Sequence, residues 1–156
     1  MEHSIPVTQL SSQILLVLVL VLMLSMTAAW ADDAVVLVTS SDSPIADIST
    51  LDIRKTYLGI SVTIAGSTVR PVRQQDDRRL NLIFLQSVIA MSQRSYERRL
   101  LSMMLKYGTP RPTEVDDREA LIRTLERNPH AIGYMWESDA ESDRRVRKVK
   151  VLWQEH

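Results

Sequence analysis

Cysteine is absent from this 156-residue chain. Neither disulfides nor zinc-thiolate clusters can hold it together, so burial of apolar side chains must do so. A lipid-anchored lipoprotein is excluded as well, because no cysteine follows the apolar run near the N-terminus. Charge of one sign is also lacking: 19 basic residues meet 19 acidic ones, which leaves no global field to draw in nucleic acid. Histidine is scarce, with only His130 and the terminal His156 beyond His3. No G-x-S-x-G elbow, H-E-x-x-H pair or phosphate-binding P-loop is present. These absences speak against catalysis, and the expectation is a chain that is not an enzyme and carries no cofactor and no metal.

What is present begins with a Leu/Val run over residues 14–26. Its length suits the core of a secretory leader and falls short of the ~20 apolar residues a spanning helix needs. Ala29-Trp30-Ala31 offers small residues at the two positions a signal peptidase reads. The reading is a leader over residues 1–31 and one domain over residues 32–156, of ordinary size. The segment before the run has no Lys or Arg, which leaves an uncleaved inner-membrane anchor as the alternative. Beyond the leader the charge is near +1, since Glu2 is the only charged side chain within it.

The rest alternates between strand and helix patterns. Residues 34–39 form a continuous Val-rich run, as in a strand buried on both faces. A helix follows from Ser49 or Thr50 to Leu58, with Gly59 as its stop. Residues 62–64 and 69–72 read as a hairpin around Ala65-Gly66. Asp76 or Asp77 caps a helix carrying Leu80, Ile83, Phe84, Val88 and Met91 at helical spacing. Ser92 or Ser95 opens the next, with Leu100, Leu101, Met104 and Leu105 on its inner face and an end at Gly108. Pro110 and Pro112 impose an extended connector. Asp116 or Asp117 starts a helix through Arg127, and Pro129 cannot continue it. Residues 132–136 and 146–153 are the last strands. The implied order, β-α-β-β-α-α-α-β-β, is an α/β or α+β single domain with a mixed sheet flanked by helices.

Three segments resemble one family in the right order. Asn128-Pro129-His130-Ala131-Ile132-Gly133-Tyr134-Met135 is similar to its G-A-I-G-Y turn and strand. Ile53-Arg54-Lys55-Thr56-Tyr57-Leu58-Gly59 resembles its I-F-L-G helix end. Tyr96-Glu97-Arg98-Arg99 through Pro110-Arg111-Pro112 resembles its Y-W … G … P-P segment. The family is that of the periplasmic phosphate-binding proteins, in the type II solute-binding class, and the resemblance spans residues 35–152. It implies a two-lobed clamshell that closes on an oxyanion and an ABC transporter permease as partner. This chain matches one lobe, so a homodimer would have to supply the second wall.

Two loops are candidates for ligand contact. Ser40, Ser41 and Ser43 follow the first strand, and in α/β folds ligands lie beyond the carboxyl ends of strands. Their amides and hydroxyls could donate to an anion, or the segment is an ordinary Ser/Asp/Pro turn. Arg73, in Val72-Arg73-Gln74-Gln75-Asp76-Asp77, resembles the family's arginine and would clamp an oxyanion with two parallel hydrogen bonds. The family's G-S-G-T turn is missing there. Asp76 and Asp77 take the helix start, where carboxylates consume the amides and repel an anion. Ile64 stands near the family's Trp, and His130 stands in place of Gly with the role of a turn residue.

Other clusters weigh less. Glu137, Asp139, Glu141 and Asp143 alternate like the opening of a calcium loop, but Arg144 and Lys150 occupy the positions that need Gly and a carboxylate. An acidic loop is the better reading. Arg144, Arg145, Arg147, Lys148 and Lys150 interleave with Val149, Val151 and Trp153, as in an edge strand whose charges discourage pairing; the alternative is a patch for anionic lipid or a partner. Arg78 and Arg79 face solvent. Two functions follow. One is a small periplasmic solute-binding protein taking phosphate or a related oxyanion through Ser40, Ser41, Ser43 and Arg73. The other is an interaction or sensory module of the envelope that keeps the fold without the site, with the region of Met103, Met104 and Tyr107 and the basic last strand as its surfaces.

Overall fold

The computed structural model describes residues 34–155. The leader expected over residues 1–31 lies outside them. Among the described residues, no helix is long and apolar enough to cross a membrane.

The elements are β1 (Ala34–Ser40), α1 (Thr50–Tyr57), β2 (Thr63–Ile64), β3 (Ser67–Thr68) and β4 (Arg70–Gln74). There follow α2 (Arg78–Phe84) with a π-helical turn (Leu85–Ile89), α3 (Gln93–Tyr107), β5 (Thr113–Val115), α4 (Arg118–Arg127), β6 (Ala131–Trp136), α5 (Glu137–Ser142) and β7 (Val146–Gln154). Five strands make one mixed sheet in the order β5-β4-β6-β1-β7. Strand β1 runs antiparallel to both β6 and β7, whereas β4 runs parallel to β5 and β6. The α/β architecture with helices on both sheet faces agrees with the sequence reading.

All seven residues of β1 are buried. Val35 and Leu37 point into a core built with α1, α2, the π turn and α3, and Val36 and Val38 into one built with α4 and α5. Burying these five apolar side chains (with Ala34) contributes roughly 10 kcal/mol before chain entropy is charged. Each doubtful helix start resolves to the residue whose side chain reaches an amide three positions on. Ser49 accepts from Asp52, Asp77 from Leu80, Ser92 from Ser95 and Asp117 from Ala120.

Four expectations need correction. The hairpin closes over Thr63–Ile64 and Ser67–Thr68, with Ala65 and Gly66 both left-handed, and the chain then leaves it. Residues 70–74 join the main sheet instead, because Val72 there can bury between the faces. The helix expected through Met91 widens into a π turn after Phe84, which brings Leu85, Val88 and Ile89 all inward before Ala90 ends it with a φ of 58°. The proline connector contributes a short edge strand, β5. The acidic segment after Trp136 is a helical turn, α5, whose Ala140 is buried.

Helix α3 is rotated from the expected register. Tyr96, Leu100 and Met103 face inward, while Leu101, Met104 and Leu105 are exposed. The apolar residues run round the C-terminal half of this helix, so their spacing leaves its rotation open. The Tyr96 hydroxyl settles it by donating to the Tyr57 carbonyl at 2.8 Å.

Candidate functional site

Strand direction separates the two loops singled out from the sequence. Because β1 is antiparallel to β6, Ser40, Ser41 and Ser43 lie beside the start of β6. Because β4 is parallel to β6, Arg73 lies further along, toward its end. The four residues therefore do not form one site. The rule that ligands sit at carboxyl ends of strands presumes that the strands run in parallel, and β1 does not.

At the serine end the polar groups are consumed locally. The Ser43 hydroxyl donates to the Pro129 carbonyl and accepts from the Ile45 amide. The Ser41 amide donates to the Arg145 carbonyl. Ser40 is 4% exposed and its hydroxyl has no partner, so it turns into the core rather than toward a ligand. Arg147 donates to the carbonyls of Ser43 and Ile45, both at 2.9 Å. Arg145 forks onto Glu119 and Asp143. Hydrogen bonds from Arg145 hold the Asp143 carboxyl down at about 2. His130 lies in the adjoining turn, its amide donating to the Asn128 side chain.

At the other end, the three tyrosines that carried the sequence resemblance converge on Arg73. Its guanidinium lies 4.8 Å from the centre of the Tyr96 ring, and its Nε donates to the Tyr134 hydroxyl at 3.5 Å. The Tyr57 hydroxyl donates to the carbonyl of Val72, the preceding residue, at 3.0 Å. Tyr57, Phe84 and Tyr134 form one aromatic cluster, Phe84 and Tyr134 stacked with centroids 3.8 Å apart. Burial pushes the Tyr57, Tyr96 and Tyr134 hydroxyls up, although Arg73 pulls on all three. They stay protonated at ordinary pH and act as donors and packing groups. Burial alone would lower Arg73, but Tyr134, Tyr96 and Glu114 more than offset it, so the arginine keeps its charge.

Arg73 is 6% exposed, and its Nη1 has no hydrogen-bond partner. Two carboxylates stand near that nitrogen without bonding to it, Glu97 at 3.6 Å and Glu114 at 3.7 Å. Each is held from elsewhere: Glu97 by Gln93 and Arg111, and Glu114 by Gln75. Arg73 borders a cleft of about 580 Å³ that also meets Gln75, Asn81, Gln93 and both glutamates.

At the start of α2 a carboxylate takes an amide that an anion would use. Asp77 accepts the Leu80 amide with one carboxylate oxygen and the Trp136 indole with the other, at 2.9 and 2.6 Å. Asn81 fastens the turn by donating to the carbonyls of Gln74 and Asp77, while accepting from Tyr134. Asp76, Asp77, Asp117, Glu119 and Asp139 border the neighbouring cleft, so the local field there is negative. Among the described residues, no group of three or more His, Asp or Glu side chains could hold a metal ion. Arg79 is exposed as expected, yet it lies 5.1 Å over the Trp136 ring and pairs with Glu155.

Sequence reasoning found Arg73 but missed Glu97, Glu114 and Asn81. Glu97 stands beside Tyr96 in a segment already singled out, so its position was available. Its direction follows from the rotation of α3, which the sequence left open.

No protein-family model matches the chain, and no curated protein matches it in sequence. Solved structures do match. One is a protein from Clostridium perfringens assigned as a phosphate ABC transporter substrate-binding protein and solved with bound phosphate. It is 20% identical, with a TM-score of 0.56, over 76% of this chain and 44% of that one. An ABC-type phosphate transport receptor from Vibrio cholerae is 12% identical (TM-score 0.54; 76% of this chain and 46% of that one). PstS from Borrelia burgdorferi is 17% identical (TM-score 0.54; 77% and 47%). The chain thus carries the fold of phosphate-binding substrate-binding proteins and spans less than half the length of each.

Proposed function

We propose that this chain is a non-catalytic binding domain of the periplasm that keeps the phosphate-binding fold while its own carboxylates hold the anion seat. It serves as an interaction or sensory module rather than as a phosphate carrier. One observation supports this above the others: Asp77 spends its carboxylate on the Leu80 amide and the Trp136 indole, where an oxyanion would need bare donors. Glu97 and Glu114 add two negative charges beside Arg73. Isothermal titration of the purified protein with phosphate, and with sulfate as control, tests the reading. It requires no saturable heat at millimolar anion. Export behind a leader of residues 1–31 belongs to the same proposal; mass spectrometry of the exported protein should find Asp32 at its N-terminus, and retention of Met1 would refute cleavage.

A second reading is favoured by the Nη1 of Arg73 at the edge of its cleft, which has two carboxylates near it but makes no hydrogen bond. On that reading the chain binds phosphate or a related oxyanion through Arg73, with an ABC permease as partner and a second copy closing the open side. Saturable binding at micromolar level, abolished by Arg73→Ala, would establish it and overturn the first.

A further inference from the structure

Helix α3 is held to the domain by Tyr96, Leu100 and Met103. Its opposite face has an unusual composition. Arg94, Arg98, Leu101 and Leu105 follow one another at positions that share one side of a helix. All four are exposed, and Leu105 is 74% exposed. Arg99 and Lys106 flank this line on one side and Met104 on the other, and Tyr107 at the helix end is 70% exposed. A shallow, largely apolar groove of about 280 Å³ runs between Arg98, Leu101, Leu105 and Lys106.

The charges on this face are not neutralised within the chain. Cations elsewhere among the described residues are of both kinds: Lys55, Arg111, Arg118, Arg145, Lys148 and Lys150 pair with carboxylates, whereas Arg54, Arg70, Arg78, Arg127 and Arg144 are scattered singly without an ion pair. Among the described residues, Arg94, Arg98, Arg99 and Lys106 have no ion-pair partner. The single acidic residue of α3, Glu97, is drawn aside by Arg73 and Arg111. The face is thus four unpaired cations around an apolar strip of Leu101, Leu105 and the flanking Met104.

We propose that the outer face of α3 docks on an anionic lipid bilayer. Headgroup phosphates complement the four cations, while Leu101 and Leu105 enter the boundary between headgroups and acyl chains, the mode of an interfacial amphipathic helix. The charge pattern is what commits the face to this occupant: long basic side chains beside an apolar strip suit a fluid surface of phosphates, which can gather around each of them. The inference stands apart from the proposed function, because it uses no residue of the Arg73 site.

The absence of cysteine permits a direct test in the full-length protein. Ser102→Cys on the groove, labelled with an environment-sensitive dye, reports contact at α3 alone. Association through the apolar run at residues 14–26 leaves its spectrum unchanged. Vesicles of phosphatidylcholine with about a third phosphatidylglycerol should shift the emission to the blue, whereas phosphatidylcholine alone should not. Adding Arg94→Gln, Arg98→Gln, Arg99→Gln and Lys106→Gln should weaken partitioning by about tenfold or more, as should raised salt. Thermal unfolding should be unchanged, because these side chains are exposed. The proposal is overturned by equal shifts on both vesicle types, by flotation without a shift, or by indifference to the four substitutions. A shift that grows with protein concentration in the absence of lipid also overturns it, in favour of contact between copies.

Discussion

At the start of β6, the turn at residues 40–43 closes on itself, and at the end of β4, Arg73 keeps an unused donor beside a cleft. In the first region the Ser43 hydroxyl, the Ser41 amide and the Ser43 carbonyl are spent on nearby backbone or on Arg145 and Arg147, and the Ser40 hydroxyl, which has no partner, is buried. In the second, a cation is buried among tyrosine rings with two carboxylates near it but not bonded. Both loops have the composition of an anion seat. A serine spent on neighbouring backbone makes a turn, whereas a buried cation with carboxylates near it but no hydrogen bond to one nitrogen leaves unfinished electrostatics. Local composition does not distinguish these outcomes, but hydrogen-bond accounting does.

Substitutions can sharpen this contrast. The largest effect belongs to Arg73→Ala, which removes the cation and its stacking on Tyr96 while leaving Glu97 and Glu114 facing each other. Glu97 keeps Arg111 and Glu114 keeps Gln75, and both glutamates are partly exposed, so the loss should be about 2 kcal/mol, mostly from the packing of the buried guanidinium and its stem. Urea unfolding measures it; a loss under about 1 kcal/mol would mean that the arginine contributes little to the fold. Smaller effects are expected at the serine end. Ser43→Ala deletes the bond to Pro129 and frees the Ile45 amide, at a cost of about 1 kcal/mol. Ser40→Ala removes a buried hydroxyl that has no partner and should be neutral or slightly stabilising. If Ser40→Ala cost as much as Ser43→Ala, the serine turn would have to hold interactions beyond those described.

Much of the fold was legible because the relevant signals are local. The run at residues 34–39 has the pattern of a strand covered on both faces, and the starts of α1, α2 and α4 each carried a capping residue within one position. The motif glycine shows a limit of that reading. In Ala-Ile-Gly-Tyr, Gly133 falls in the strand read over residues 132–136, but nothing local says why it is glycine: in β6 an added Cβ would come within 2.6 Å of Leu121. It is there to let α4 approach the sheet. The separation of Ser43 from Arg73 was not legible, since it depends on β1 running against β6, and nothing within either segment encodes that direction. The rotation of α3 was hidden for a related reason: the apolar residues encircle its last two turns, and a single tyrosine hydroxyl decides which of them face in.

The place of β1 in the sheet also bears on when this chain can fold. Among the described residues its hydrogen-bonding partners are β6 and β7, both separated from it along the chain by β4 and β5. The most apolar strand of the domain therefore cannot pair until both have been synthesised, and such long-range closure is intrinsically slow. Until then the sheet lacks its centre, and the two cores that β1 divides stay open to water.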